Sequence, residues 1–449
     1  MSTLRCGTAS REITPPYPAT LHGYANRDRK SDGVAEPISL GCLVLDDGEH
    51  RLLIVSCDMI GIESHVCEEL YALLETEIGV GYPNVLLSCS HTHFAPALHA
   101  GSYYAPQTGI VEPDPRFVDD FKVKLVEAAR DSLRNLQPGR LETARLRVPQ
   151  VLFNRRTVRA DGSVATNFRY PLDAENYTIS PTDDELTVLR IVDDCGVKAV
   201  LANFGCHPVT GGQEAEAAHY RISADYPFYL RQTIAARWNC PVFFTLGAAG
   251  DAVPIDRYTD CRQRIGQTLG HTATLGDRLF REDPTPTVSA DCRELDVHTI
   301  IDADSKTIEA EYEQARHRSL SLIDAAPESP ESREALDIFH LQQAILHRAR
   351  LYPDNQYSVK VQFLRIGGIV LTCLPFEVLS EISLRMKERF PHSALVSCAG
   401  GYQGYLPLEY EYARGGYEAS ERSTHFAKGT ADRLLDLILD WLEKNGSER

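Results

Sequence analysis

Two imidazoles stand two residues apart in Ser88-Cys89-Ser90-His91-Thr92-His93-Phe94-Ala95-Pro96, directly after an apolar run at 85–87. Side chains alternate along a strand, so if the strand continues this far both rings reach one site. Neutral imidazole is the commonest metal ligand, and open α/β sheets place ligands where strands end. A pair of hydrogen-bonded structural histidines is the competing reading. His207, in Asn203-Phe204-Gly205-Cys206-His207-Pro208, again closes an apolar run, where a turn histidine capped by backbone is the alternative. Gly247-Ala248-Ala249-Gly250-Asp251 leaves a third run through residues small enough for another group to approach the backbone. A glycine turn with a helix-capping Asp251 explains it equally. Glu377 follows Leu374-Pro375-Phe376 at a strand mouth near a helix start, a position that also suits a first-turn glutamate. Tyr402, Tyr405 and Tyr417 with Glu418 form an aromatic segment that could line a pocket. Each signal alone has a bland explanation. Together they place imidazole, carboxylate and phenol at successive strand ends, which would converge on one edge of a sheet if the strands are parallel.

The elements that must position them are legible as apolar, β-branched runs at 40–45, 52–56, 85–88, 186–192, 199–204, 242–246, 359–364, 369–374 and 395–397. Between them lie helical patterns. At 64–79, Val66, Leu70, Leu73 and Leu74 share one face, with Ser64 to cap the start and Gly79 to end it. Further helices are expected at 117–135, 225–237, 263–281 and 377–389, and at the C-terminus with Leu434, Leu435, Ile438, Trp441 and Leu442 on one face. Residues 305–351 break the rhythm with two charged helical patterns around Ala325-Ala326-Pro327-Glu328-Ser329-Pro330, which predicts an inserted helical hairpin. The fold class is therefore mixed α/β, a layered sheet with flanking helices.

Composition narrows the partners. A chain of 449 residues with 43% hydrophobic and 24% charged residues has the balance of a folded enzyme. A net charge of −17 and the lack of any Lys/Arg run argue against nucleic acid and anionic membranes. Arg5, Arg11 and Glu12 interrupt any secretory leader, and no segment is apolar enough to span a bilayer. Twelve cysteines without a Cys-x-x-Cys pair read as buried free thiols, so a cytoplasmic setting is expected. The expected partner is a small-molecule substrate, with a homo-oligomer left open.

In ordered combination these motifs resemble the N-terminal catalytic domain of the neutral ceramidase family. Its Thr-His-Thr-His run is similar to Ser90–His93, its Val-His-Pro to Cys206-His207-Pro208, its Gly-Asp-Val-Ser-Pro to Gly250-Asp251-Ala252-Val253-Pro254, and its Pro-Gly-Glu to Pro375-Phe376-Glu377. Asn154-Arg155, Ile13-Thr14-Pro15 and Gly23-Tyr24 match as well, so the resemblance runs from about residue 6 to 430. It implies one ceramidase-like catalytic domain over 1–449 with 305–351 inserted. It also implies one Zn²⁺ held by His91, His207, Glu377 and Tyr405, with Tyr402 competing for the tyrosine position. His93, Arg155 and Tyr417 would face the substrate, and Asp251 would orient a ligand imidazole.

Two departures bear on function. Val253 stands where the family has a serine, which removes a serine nucleophile, and neither the family's secretory signal nor its immunoglobulin-like C-terminal domain is recognised. The reading is then a zinc-dependent hydrolase, amidase or lactonase/esterase, in which metal-activated water attacks a carbonyl while His93 and Tyr417 stabilise the oxyanion. Arg155, Arg156, Asn154, Asn167 and Arg169 suggest a small polar soluble substrate. The long apolar or basic surface a membrane ceramidase would need is not evident, and the tract after His93 is polar at His99, Ser102, Tyr103, Tyr104 and Gln107. A true ceramidase, a TIM-barrel amidohydrolase and a non-catalytic zinc- or carbohydrate-binding protein are the rivals.

Overall fold

The computed structural model describes residues 4–24, 26–102, 109–212, 217–284, 286–300, 304–326 and 329–445. Tyr103, Tyr104 and Gln107, and the hairpin-turn residues Pro327 and Glu328, lie outside them.

The main strands form three sheets, each built the same way. The first runs Val85–Cys89, Arg51–Cys57, Ser39–Asp46, Arg5–Glu12, Gln137–Pro138. The second runs Val242–Leu246, Gly196–Phe204, Glu185–Asp193, Arg140–Arg147, Arg281–Glu282, and the third Val288–His298, Gln356–Ile366, Ile369–Cys373, Ser393–Val396. Each is antiparallel except for one parallel pair at an edge: Arg51–Cys57 with Val85–Cys89, Gly196–Phe204 with Val242–Leu246, and Ile369–Cys373 with Ser393–Val396. This pattern rules out a parallel barrel of the TIM type among the described residues.

All nine apolar runs are strands. The long strands Arg5–Glu12, Arg140–Arg147 and Val288–His298 were not anticipated, because charged and small residues interrupt their apolar positions. Where both faces are covered, neighbouring residues feed different layers. Leu53 and Val55 pack with the helix residues Leu70, Leu74, Phe121 and Leu125, whereas Leu52 and Ile54 meet Leu201, Phe243 and Leu371 of the other two sheets.

Helices α1 (Ser64–Ile78), α2 (Pro115–Arg134), α3 (Tyr226–Trp238), α4 (Cys261–Leu275), α5 (Ser305–Ala325), α6 (Pro330–Leu351), α7 (Ser380–Arg389), α8 (Glu411–Arg414) and α9 (Thr430–Asn445) flank the sheets. Gly79 ends α1 in the left-handed region at φ 70°, as expected. Ser64 does not cap it, because its hydroxyl pairs instead with the Tyr357 hydroxyl at 2.6 Å. Helix α4 ends six residues before the expected boundary of 281, at Gly276. Helices α5 and α6 form the anticipated hairpin around Ile308, Tyr312, Phe339 and Leu346. All twelve cysteines are free, most of them buried. Among the described residues no helix is long and apolar enough to cross a membrane.

The three parallel pairs are laced together near their C-terminal ends. Ser56 Oγ donates to the Phe244 carbonyl at 2.6 Å, and Asn203 Nδ2 to the Leu395 carbonyl at 3.0 Å. The Ser397 amide donates to the Leu246 carbonyl at 2.8 Å and the Gly400 amide to the Leu87 carbonyl at 2.9 Å. The site residues therefore converge from three sheets, not along the edge of one.

Candidate active site

The first sheet delivers His91 and His93 by a turn. Its edge strand stops at Cys89, and His91 lies in the left-handed region at φ 65°, so the alternation of a continuing strand is not what aligns the two rings. Amide bonds from Ser90 to the Cys57 carbonyl (2.8 Å) and from His91 to the Met59 carbonyl (2.9 Å) fix the turn against the neighbouring strand. The second sheet delivers His207, whose amide donates to the Ala252 carbonyl at 2.9 Å. The third delivers Glu377 in a two-residue strand, Glu377–Val378, pairing in parallel with Tyr405–Leu406 so that Glu377 and Tyr405 are register partners. Glu377 is thus a strand residue; α7 begins at Ser380. The small residues before Asp251 serve close approach as expected. A Cβ on Gly250 would lie 2.6 Å from the Glu377 carbonyl oxygen, and the Gly250 amide donates to the Val378 carbonyl at 2.8 Å.

At the centre, four ligand-type atoms crowd one point. His91 Nε2 lies 3.0 Å from His207 Nε2 and 3.4 Å from His93 Nε2. Glu377 Oε2 lies 3.2 Å from His91 Nε2 and 3.4 Å from His207 Nε2. The tautomers follow from the other ring nitrogens. His91 Nδ1 must donate to the Ile60 carbonyl at 2.6 Å, and His207 Nδ1 to the Ala249 carbonyl at 2.7 Å, since a carbonyl only accepts. In the neutral rings both Nε2 atoms then carry lone pairs, aimed at each other and at a carboxylate oxygen with no hydrogen-bond partner among the described residues. Burial and the neighbouring His91 hold the pKa of both His93 and His207 well below 6.5. Converging acceptors of this kind fit a cation, and the imidazole and carboxylate donors suit zinc.

His93 differs from the other two rings: its Nδ1 has no hydrogen-bond partner among the described residues, so its tautomer is not fixed. Around the cluster, Tyr402 donates to Glu377 Oε1 at 2.8 Å, and burial, helped by the negative charge of Glu377, holds the Tyr405 phenol above its ordinary pKa. Arg155 Nη2 donates to the Tyr405 oxygen at 2.9 Å, and Tyr417 packs edge-on against Tyr405 at 5.5 Å between ring centres.

The expected role of Asp251 changes, and Arg155, which lines the larger of the cavities at the site, has an ion-pair partner that was not expected. Arg155 is buried and committed: its Nε donates to Glu418 Oε1 at 2.6 Å, while Glu418 Oε2 accepts from Arg156 Nη1 at 2.8 Å. Burial opposes the charge on Arg155, but Tyr405 and Glu418 outweigh it and leave the guanidinium firmly protonated. Asp251 does not reach an imidazole, because carbonyls already occupy both Nδ1 atoms. It accepts from the Ser380 amide (2.8 Å) and hydroxyl (2.6 Å) and from Asn154 Nδ2 (2.8 Å), tying the Asn154-Arg155 segment to the start of α7. Val253 is fully buried in the ladder opposite Phe153.

Two cavities flank the cluster. One, of about 230 Å³, is lined by His22, Glu63, His99, Tyr402 and, from the hairpin, His347, whose Nε2 lies 2.9 Å from Glu63 Oε1. The other, of about 590 Å³, is lined by His93, Phe168, Arg169 and Arg257. Tyr24, Tyr405 and Tyr417 line both. Sequence reasoning missed Glu63, His347 and Arg257, since none adjoins a strand-end motif. It also found no apolar rim, yet Phe168 on the second cavity's wall is exposed, as are Tyr170, Leu172, Ile255 and Tyr258 in the same two segments as the wall residues Arg169 and Arg257. No single run betrays a patch assembled from separate loops.

Residues 4–225 match the family described as neutral/alkaline non-lysosomal ceramidase, N-terminal. The crystal structure of neutral ceramidase from Pseudomonas aeruginosa superposes on the whole chain with a TM-score of 0.69 at 17% identity, over 76% of its own length. A structure titled as ceramidase complexed with C2 gives 0.70 at 16% identity, over 77% of its length. The resemblance read from the motifs holds, and the fold is that of neutral ceramidase.

Proposed function

We propose that this chain is a zinc-dependent hydrolase of amides or of lactones and esters, acting on a small polar substrate. The observation that carries it is the crowding of His91, His207 and Glu377, whose facing acceptor atoms call for a cation. His91, His207 and Glu377 would hold the ion, with Tyr405 beside them and His93 within reach. Bound there, zinc supplies Lewis acidity toward a carbonyl and lowers the pKa of water toward about 7.

The chain's own residues do the rest. Arg155 holds the Tyr405 hydroxyl near Glu377. His93, neutral and with an unfixed tautomer, can present an N–H to the oxygen that gains charge as the carbonyl becomes tetrahedral. Tyr417, on the wall shared by both cavities, is the second donor for that oxygen. With Val253 buried opposite Phe153, no side chain at that position serves as nucleophile.

The test is metal content and turnover measured together. Protein as purified should carry close to one zinc per chain, lose turnover to a chelator and regain it with zinc. His91→Ala and His207→Ala should lose metal and activity in parallel; full activity in either would remove it from the ligand set. A ceramide-type amphiphile is the second reading, favoured by the exposed rim of Phe168, Leu172 and Tyr258. It prevails if short-chain ceramide in detergent exceeds soluble N-acyl compounds and sugar lactones in kcat/KM by orders of magnitude.

A further inference from the structure

The larger cavity has a charge character that the metal cluster does not explain. Arg257 sits on its wall, half-buried, and its contacts among the described residues are to neutral groups. Its Nη1 donates to the Phe168 carbonyl at 3.0 Å, Nη2 to the Tyr24 hydroxyl at 3.2 Å, and Nε approaches the Val209 carbonyl at 3.4 Å. Among the described residues, one N–H on each terminal nitrogen is left over. Arg169, on the same wall, stacks over Tyr258 with 5.4 Å from Cζ to the ring centre. Neither guanidinium pairs with a carboxylate among the described residues.

That is unusual for this chain, whose acidic residues outnumber its basic ones, 63 to 46, and whose other site arginines, Arg155 and Arg156, are neutralised by Glu418 and Glu411. The Phe168 ring lies 5.3 Å from Arg155 Cζ and 5.8 Å from Arg257 Cζ, so it packs near both guanidiniums. His93 closes the inner end of the same cavity. A group held on Arg257 would thus sit in one chamber with the imidazole assigned above to the reacting carbonyl. Planar guanidinium with spare donors is matched by oxyanions of carboxylate or phosphate geometry.

We propose that this chamber binds an anionic substituent of the substrate, so that the preferred substrates are acyl compounds bearing a carboxylate or phosphate group beyond the bond that is cut. Arg257 and Arg169 are its binding residues. This rests on the hydrolase reading and specifies its substrate.

The experiment compares 4-nitrophenyl butanoate with 4-nitrophenyl hemisuccinate, esters of equal chain length that differ in one terminal carboxylate, on the zinc-loaded protein. The hemisuccinate should lead in kcat/KM by at least tenfold, mostly through KM, and the lead should shrink as salt rises. Arg257→Gln and, separately, the exposed Arg169→Gln should each lower that ratio at least threefold. A 4-nitrophenyl phosphoacetate arm reports whether phosphate is preferred to carboxylate. Equal kcat/KM for the two carboxylic esters, or a ratio that neither variant moves, overturns the proposal while leaving the hydrolase intact. If no ester is turned over, the esterase form of the hydrolase reading fails. Calorimetric titration with glutarate then decides the anion site by itself: binding weakened at least threefold by Arg257→Gln upholds it, and no binding, or binding the variant leaves unchanged, overturns it.

Discussion

Glu418→Gln isolates the electrostatics that hold the site's second ring. The carboxylate is fully buried and bridges Arg155 (2.6 Å) and Arg156 (2.8 Å). Arg156 keeps a second partner in Glu411, whereas Arg155 has no other carboxylate partner among the described residues. The amide is nearly isosteric, so the change removes charge and leaves a buried guanidinium uncompensated, which costs about 3–5 kcal/mol. With an unfolding entropy of about 2.1 cal/mol/K per residue, a chain of 449 residues shifts by roughly 1 °C per kcal/mol. Calorimetry should therefore record a melting point about 3–5 °C lower. Arg155 also holds the Tyr405 hydroxyl at 2.9 Å, so kcat/KM should fall by about 10²-fold as the phenol moves. The double variant Arg155→Met with Glu418→Leu should restore the melting point to within about 1 °C without restoring activity, since apolar residues of similar volume replace a buried ion pair at little cost. A melting point and kcat/KM both unchanged in Glu418→Gln would refute the idea that this pair carries the ring.

Val253→Ser should leave kcat within a small factor of the parent and lower stability by about 1–3 kcal/mol, because the hydroxyl would be buried opposite Phe153 without a base; a trapped acyl-enzyme at that position would contradict direct attack by water. Gly23→Ala should cut activity sharply: Gly23 has φ 104°, and a Cβ there would lie 2.5 Å from His93 Cγ. Near-parent turnover would mean that His93 has freedom the packing denies it. Burial holds the pKa of His22, His99 and His425 below the ordinary 6.5. The unfolded chain therefore takes up protons at these positions before the folded one does, so the stability they contribute is present above about pH 6.5 and is lost as pH falls below it. Denaturant midpoints at pH 7.5 and 5.5 should differ in that direction, and a flat profile would show that these rings are not held neutral.

The ligand types were legible because chemistry requires them: His91, His207 and Glu377 each stand beside a run too apolar to be anything but a buried strand. What brings them together was not. The left-handed turn at His91 leaves no pattern, since nothing in Ser90-His91-Thr92 demands a positive φ. Assignment of the three parallel pairs to three sheets depends on the strands Arg5–Glu12, Arg140–Arg147 and Val288–His298, which carry little continuous hydrophobicity. That Arg155 is anchored by Glu418 was not legible, because the partner is far away in sequence. The same distance hid the link between Glu63 and His347.

Supplying one ligand from each of three sheets has a consequence for how the protein comes into being. No local segment can assemble the site, and the hydrogen bonds lacing the parallel pairs join residues such as Asn203 and Leu395 that are remote along the chain. Contacts of such separation form late, after the loop-closure entropy has been spent. If the proposed ion binds there, a nascent chain would offer isolated imidazoles until its last sheet docks, and ion capture would report on finished folding. An ion that favoured only that final arrangement would also act as a clasp that disfavours its reopening.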